Sequence, residues 1–153
     1  MNTPPPVIVP AANAGRQITE TDADVFVWGH VTTPFADASI YDEAIACYYR
    51  AIGEGFDSLI GVRELHNFLL NKAGVVINNN SSLPWPRTQD LDPIYEVNHT
   101  VFIAGRDVYL NKRNRVGERP YLHTMSALAS IDIDWEEDFV LAEALAKQLT
   151  VNN

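Results

Sequence analysis

Two kinds of apolar spacing alternate along the chain, and together they set the expected elements. Val25, Phe26, Val27 and Trp28 form a nearly continuous apolar run, as in a strand buried on both faces of a parallel sheet. The run gives way to Gly29, His30, Val31, Thr32, Thr33 and Pro34, a hydroxyl-rich loop. Ligands of open α/β sheets bind at the carboxyl ends of the strands, so this loop is either placed for substrate or a plain turn stopped by proline. Ile40, Ala44, Ile45, Tyr48 and Ile52 then recur at helical spacing, predicting a helix over 39–52 with Ser39 as N-cap and Gly53 beyond its end. Residues 56–62, FDSLIGV, return as a second strand, and the strand, helix, strand order points to a right-handed parallel crossover and an α/β fold.

The pattern changes after Arg63. Phe68, Leu69 and Leu70 and then Val75, Val76 and Ile77 flank a Lys72, Ala73, Gly74 turn, as in a hairpin. A polar loop with prolines at 84 and 86 follows, then Arg87, Thr88, Gln89, Asp90 and two apolar pieces, 94–98 and 101–103. Residues 106–110 predict a short helix, 120–125 an extended piece, and 135–149 an amphipathic helix with Trp135, Phe139, Ala142, Leu145 and Leu149 on one broad face. Residues 1–24 read as an irregular N-terminal arm because of three consecutive prolines and few large apolar side chains. Within the arm, 7–10 is the one fragment that reads as a short strand, leading into a small-residue loop at 11–16 with a single glycine, a poor anion cradle.

Ahead of the last helix stand Asp132 and Asp134 in the segment Ile131, Asp132, Ile133, Asp134. In extended backbone, residues at i and i+2 project from the same side, so both carboxylates converge on one ligand if 131–134 is a strand. Hard paired oxygens suit Mg²⁺ or another divalent cation that also holds phosphates. The competing role for Asp134 is a helix N-cap with Glu137 three residues on. Arg87 has a planar fork suited to a carboxylate, against the alternative of a surface ion pair.

Composition narrows the choices. A formal net charge of -9 argues against a nucleic-acid surface, and the apolar runs are too short for a membrane span. The N-terminus lacks a basic region before its apolar residues, so it does not read as a secretory signal and the expected location is the cytoplasm. The single Cys47 sits in a helical pattern and reads as a small buried side chain. The short basic cluster Lys112, Arg113, Arg115 reads as a solvated loop ahead of a phosphate contact.

Taken together, four stretches resemble the acylneuraminate cytidylyltransferase family, which makes CMP-activated sugar acids and is related to the CMP-Kdo synthetases. His30, Val31, Thr32, Thr33, Pro34, Phe35 is similar to the family's QPTSP loop, and Asp57, Ser58, Leu59 to its DSL strand start. Arg87, Thr88, Gln89, Asp90 with Tyr95 and Asn98 is similar to its RxQD segment, tyrosine and Asn-Gly-Ala strand; Ile131 to Asp134 with Asp138, Phe139, Ala142 and Glu143 is similar to its IDID segment. The resemblance implies a Rossmann-like nucleotidyltransferase fold with a mixed, mostly parallel sheet and a β-hairpin excursion over 25–153. It also implies transfer of CMP from CTP to a sugar acid such as sialic acid, releasing pyrophosphate.

On that resemblance Asp132 and Asp134 would hold Mg²⁺, Arg87 would clamp the sugar carboxylate, and His30, Thr32, Thr33, Gln89 and Asn98 would contact the sugar. The hairpin over 68–77 would pair subunits in a homodimer. His30 stands where the family has glutamine, and His99 and Thr100 replace its glycine and alanine, so His99 narrows the pocket. The strand at 25 corresponds to the middle of the family's fold, which implies a truncated chain lacking the first strands and their nucleotide loop. The alternative is a non-catalytic sugar-binding or dimerisation module derived from the same family.

Overall fold

The computed structural model describes residues 7–10 and 18–151. Five strands form one sheet: β1 (Val7–Pro10), β2 (Val25–Gly29), β3 (Ser58–Leu65), β4 (Ile94–Gly105) and β5 (Pro120–Thr124), in the spatial order β1-β2-β4-β3-β5. β1 pairs parallel with β2 and β5 parallel with β3, while β4 runs antiparallel between β2 and β3. β2 and β3 are therefore parallel in direction, as the strand, helix, strand pattern required, but β4 separates them. The sheet is mixed and mostly parallel, as expected.

Part of the segment read as an irregular arm is ordered into the fold. Val7–Pro10 is the edge strand β1, in register with residues 26–29, and residues 18–20 form a helical turn. Ile18 packs with Phe26, Ala104, Val108 and Tyr109. The Arg106 guanidinium fastens this turn by donating to the carbonyls of Ile18, Thr21 and Ala23. The small-residue loop at 11–16 lies outside the described residues.

Helix α1 (Ala38–Gly53) covers one face of the sheet. Ala44, Cys47, Tyr48 and Ala51 are its buried positions, at i, i+3, i+4 and i+7, and the first three meet Val27, Leu59, Val101 and Ile103. Cys47 is buried, as its helical setting suggested. The cap is Asp37 instead of Ser39, because Asp37 is extended (φ -91°, ψ 177°) and its carboxylate accepts from the Ile40 amide at 3.2 Å. Ser39 lies inside the helix and donates its hydroxyl to the same carboxylate at 2.6 Å.

The two apolar pieces at 94–98 and 101–103 are one twelve-residue strand, β4. The polar residues between them, Asn98, His99 and Thr100, do not break the strand because their side chains find partners outside the ladder. Opposite them, the β3–β4 register shifts between Ile60 and Val62, and Gly61 occupies the shift. A Cβ on Gly61 would lie 2.5 Å from Asn98 Oδ1, so glycine admits the asparagine.

The hairpin after β3 is reduced to a single bridge between Leu70 and Val76. Its turn is held by Asn71 Oδ1, which accepts from the Ala73 and Val75 amides, with Gly74 at φ +78°. The following loop folds around buried Asn78, which donates to the Asn67 and Asp92 carbonyls and accepts from the Leu69 amide. Helix α2 (Arg106–Lys112) follows β4 directly.

The last helix, α3 (Glu136–Val151), departs from expectation twice. Asp134 is not its cap; Asp138 reaches back and accepts from the Asp134 and Trp135 amides at 3.1 and 2.9 Å. Its apolar face is also largely open, for Ala142 is the one buried position, while Trp135 is 75% and Phe139 57% exposed. No helix is long and apolar enough to cross a membrane among the described residues.

Candidate active site at the end of the central strands

The site forms where the loop after β2 meets the middle of β4 and the segment after β5. β2 and β4 run antiparallel with Trp28 opposite Phe102, which brings His30, just past β2, beside His99. Their rings stack with centroids 4.9 Å apart and planes 21° from parallel. His99 Nδ1 lies 2.8 Å from Asp132 Oδ2. A carboxylate only accepts, so His99 carries the proton on Nδ1 and donates it.

Asp132 is not in a strand. Residues 131–134 are irregular, because the local backbone bonds close a turn (Ser130 N to Ser126 O, Ile131 N to Leu128 O) and reach the β2 loop (Ile133 N to Thr32 O, 2.9 Å) instead of a sheet neighbour. The alternation argument for the aspartate pair therefore fails, although Asp132 and Asp134 still line the same cleft.

Side chains of β4 fix the turn before Asp132. Buried Thr100 donates its hydroxyl to Ala129 O at 2.9 Å, and buried Asn98 donates Nδ2 to Ser130 Oγ at 3.0 Å. The Asp132 carboxyl would rise in pKa through burial, but the Thr32 hydroxyl, His99 and His30 hold it below its ordinary value. His30 is lowered by burial, by His99 and by Arg115, which together outweigh Asp132 and Asp134. The Arg115 guanidinium donates to His30 Nε2 at 3.1 Å and lies 4.1 Å from the Phe102 ring centroid. The basic cluster is thus not a plain solvated loop, since Arg115 folds inward against the site and Lys112 pairs with Glu118 at 3.0 Å.

These elements border an open cleft of about 380 Å³. Its lining includes four carboxylates, Glu96, Asp132, Asp134 and Asp138, and one guanidinium, Arg63. Asp132 Oδ1 is buried and has no hydrogen-bond partner among the described residues. Such an orphaned acceptor is costly in the interior, and it suits a divalent ion that takes one or two carboxylates and completes its shell from water and phosphate. Among the described residues no cluster of three or more His, Cys, Asp or Glu forms an all-protein metal centre.

The expected site residues separate into three groups. Asn98, Asp132 and Asp134 line the cleft, and His30 and Thr32 adjoin it through His99 and Asp132. Thr33 is buried and donates its hydroxyl to His30 O at 2.9 Å, which shapes the loop from within. Arg87 and Gln89 are not brought to the cleft. Arg87 binds both Asp90 oxygens at 2.8 Å in an exposed pair three residues apart, with Gln89 in the same short turn. Sequence reasoning missed Arg63 and Arg115 as site residues and took His99 only as a bulky replacement. The run of three polar residues, Asn98, His99 and Thr100, between two apolar pieces was the one available signal.

No family model matches the chain. It has a nucleotidyltransferase fold, since the solved structures it resembles are cytidylyltransferases. A 4-diphosphocytidyl-2C-methyl-D-erythritol synthase from Anaerococcus prevotii superposes with a TM-score of 0.56 at 12% identity, covering 88% of this chain and 64% of that one. A 2-C-methyl-D-erythritol 4-phosphate cytidylyltransferase from Thermus thermophilus gives 0.56 at 17% identity, covering 89% and 68%. In sequence the chain is similar to N-acylneuraminate cytidylyltransferases of Streptococcus agalactiae serotypes III and Ia, 27% identical over 124 residues. That match covers 78% of this chain and spans 29% of the length of those relatives.

Proposed function

We propose that this chain carries the sugar-acid and metal side of a cytidylyltransferase site, moving CMP from CTP to a sugar acid of the sialic acid kind with release of pyrophosphate. The observation that carries the reading is the buried Oδ1 of Asp132, a residue of the cleft lining, which has no hydrogen-bond partner among the described residues. Similarity to the streptococcal N-acylneuraminate cytidylyltransferases supports the nucleotide and the acceptor class.

Asp132 and Asp134 would hold Mg²⁺, whose contribution is to neutralise phosphate charge. The chain's own groups bind and orient the acceptor. Asn98 and Ser130 supply neutral polar groups at the cleft, and His30 and Thr32 border it. Arg63 is the guanidinium already lining the cleft, whereas Arg87 serves the sugar carboxylate only by exchanging its Asp90 partner. A homodimer through the hairpin would cover Leu70, Val75 and Ile77, each more than half exposed. Cytoplasmic CTP would supply the nucleotide.

The test mixes the purified chain with CTP, Mg²⁺ and N-acetylneuraminic acid and follows pyrophosphate release. Turnover abolished by Asp132→Ala is the expected result. Saturable sugar-acid binding without turnover would favour a non-catalytic binding module, and a folded chain that binds neither substrate would refute both.

A further inference from the structure

His99 interrupts the apolar centre of β4, yet its ring is fixed from several sides. It stacks on His30 at 4.9 Å and lies near Phe102 at 6.4 Å with planes 27° apart, while Arg115 holds His30 from beyond. The Asp132 backbone is equally constrained. Thr32 O takes the amide of Ile133, and the preceding turn is tied to β4 through Thr100 and Asn98. The freedom left to Asp132 is rotation of its carboxylate, which would turn both oxygens out of their present directions. The 2.8 Å bond from His99 Nδ1 to Oδ2, with the Thr32 hydroxyl also acting on the carboxyl, restricts that rotation, and Oδ1 is left buried without a hydrogen-bond partner among the described residues.

We propose that His99 is a positioning residue: its Nδ1–H holds Oδ2 of Asp132 so that Oδ1 stays directed to a divalent cation. Hydrogen bonds to a ligating carboxylate fix its orientation, and losing such a partner typically weakens metal binding about 10- to 100-fold. The proposal rests on the reading of Asp132 as a metal ligand.

The experiment titrates MnCl₂ into the full chain without nucleotide, follows free Mn²⁺ by electron paramagnetic resonance, and checks each variant's fold by circular dichroism. Asp132→Ala defines the component that belongs to this site. His99→Phe keeps a ring to stack on His30 but has no donor; His99→Asn keeps a donor near Nδ1 but has no ring. His99→Leu takes the place of His99→Phe if the latter does not fold. The expected result is an Asp132-dependent affinity that falls about 10- to 100-fold in His99→Phe and stays near wild type in His99→Asn. Equal affinity in wild type and His99→Phe would overturn the positioning role while leaving the metal reading intact. So would His99→Asn binding as weakly as His99→Phe, because a donor returned to this position would then fail to restore affinity. No Asp132-dependent Mn²⁺ binding in the wild type would overturn the metal reading and this proposal together.

Discussion

Gly117→Ala should destabilise the protein by disrupting the contact that docks the 113–119 loop on β3. Asp57 stands just before β3, and its carboxylate accepts from the Glu118 and Arg119 amides at 2.7 and 3.1 Å and from Ser58 Oγ at 3.0 Å. Ser58 Oγ in turn accepts from the Gly117 amide at 2.9 Å. A Cβ on Gly117 would overlap the Asp57 carboxylate, which has to swing off both amides. Hydrogen bonds to a charged group contribute about 1.5–3 kcal/mol each when protected. With the Asp57 side chain 32% exposed, solvent reduces the pair to about 2 kcal/mol in total. At about 2–4 °C per kcal/mol for a chain of this size, Tm should fall by about 4–8 °C in a circular dichroism melt. The double variant with Asp57→Asn should lose less than the sum of the singles, because both weaken the same set of bonds. A Tm within a degree of wild type, or strict additivity, would refute the reasoning.

The same carboxylate makes a pH prediction. Burial would raise the Asp57 pKa, but the Glu118 and Arg119 amides, Ser58 and Lys112 hold it below its ordinary value. Its stabilisation is therefore full above the unfolded pKa near 4 and lost as pH falls through the lower folded value, so urea titrations of wild type and Asp57→Asn should converge below about pH 4. Thr100→Val removes the donor to Ala129 O at 2.9 Å at nearly constant volume. It should cost about 1–2 kcal/mol by urea unfolding and speed hydrogen exchange over 127–132, the segment that carries Asp132. Gly61→Ala would crowd Asn98 Oδ1 at 2.5 Å and Met125 Sδ at 3.0 Å, so a loss of about 1–3 kcal/mol is expected by the same measurement.

The strands and helix from 25 to 62 were legible because their apolar residues repeat with the period of the element they form. β4 was not, since Asn98, His99 and Thr100 interrupt its apolar run and are satisfied by residues about thirty positions away. Periodicity gave α3 its amphipathic pattern but not its exposure. That depends on what packs against the helix, and here only Ala142 is buried. At the site, Asp132 and Asp134 were found by residue type although the strand geometry invoked for them is absent. Arg87 illustrates the opposite case: a guanidinium suited to a substrate carboxylate found Asp90 three residues on, a local pair visible in the sequence itself. His99 carries no spacing signal, and its importance follows from the 2.8 Å contact to Asp132 alone.

The most direct test of the central claim supplies CTP labelled at the α-phosphorus together with Mg²⁺ and N-acetylneuraminic acid, and separates nucleotide from product by anion-exchange chromatography. The account expects label to appear in the sugar-acid conjugate with the wild-type chain and to stay in CTP with Asp132→Ala. Label transfer of equal extent in both proteins, or a folded wild type that binds neither CTP nor the sugar acid and transfers no label, would contradict it.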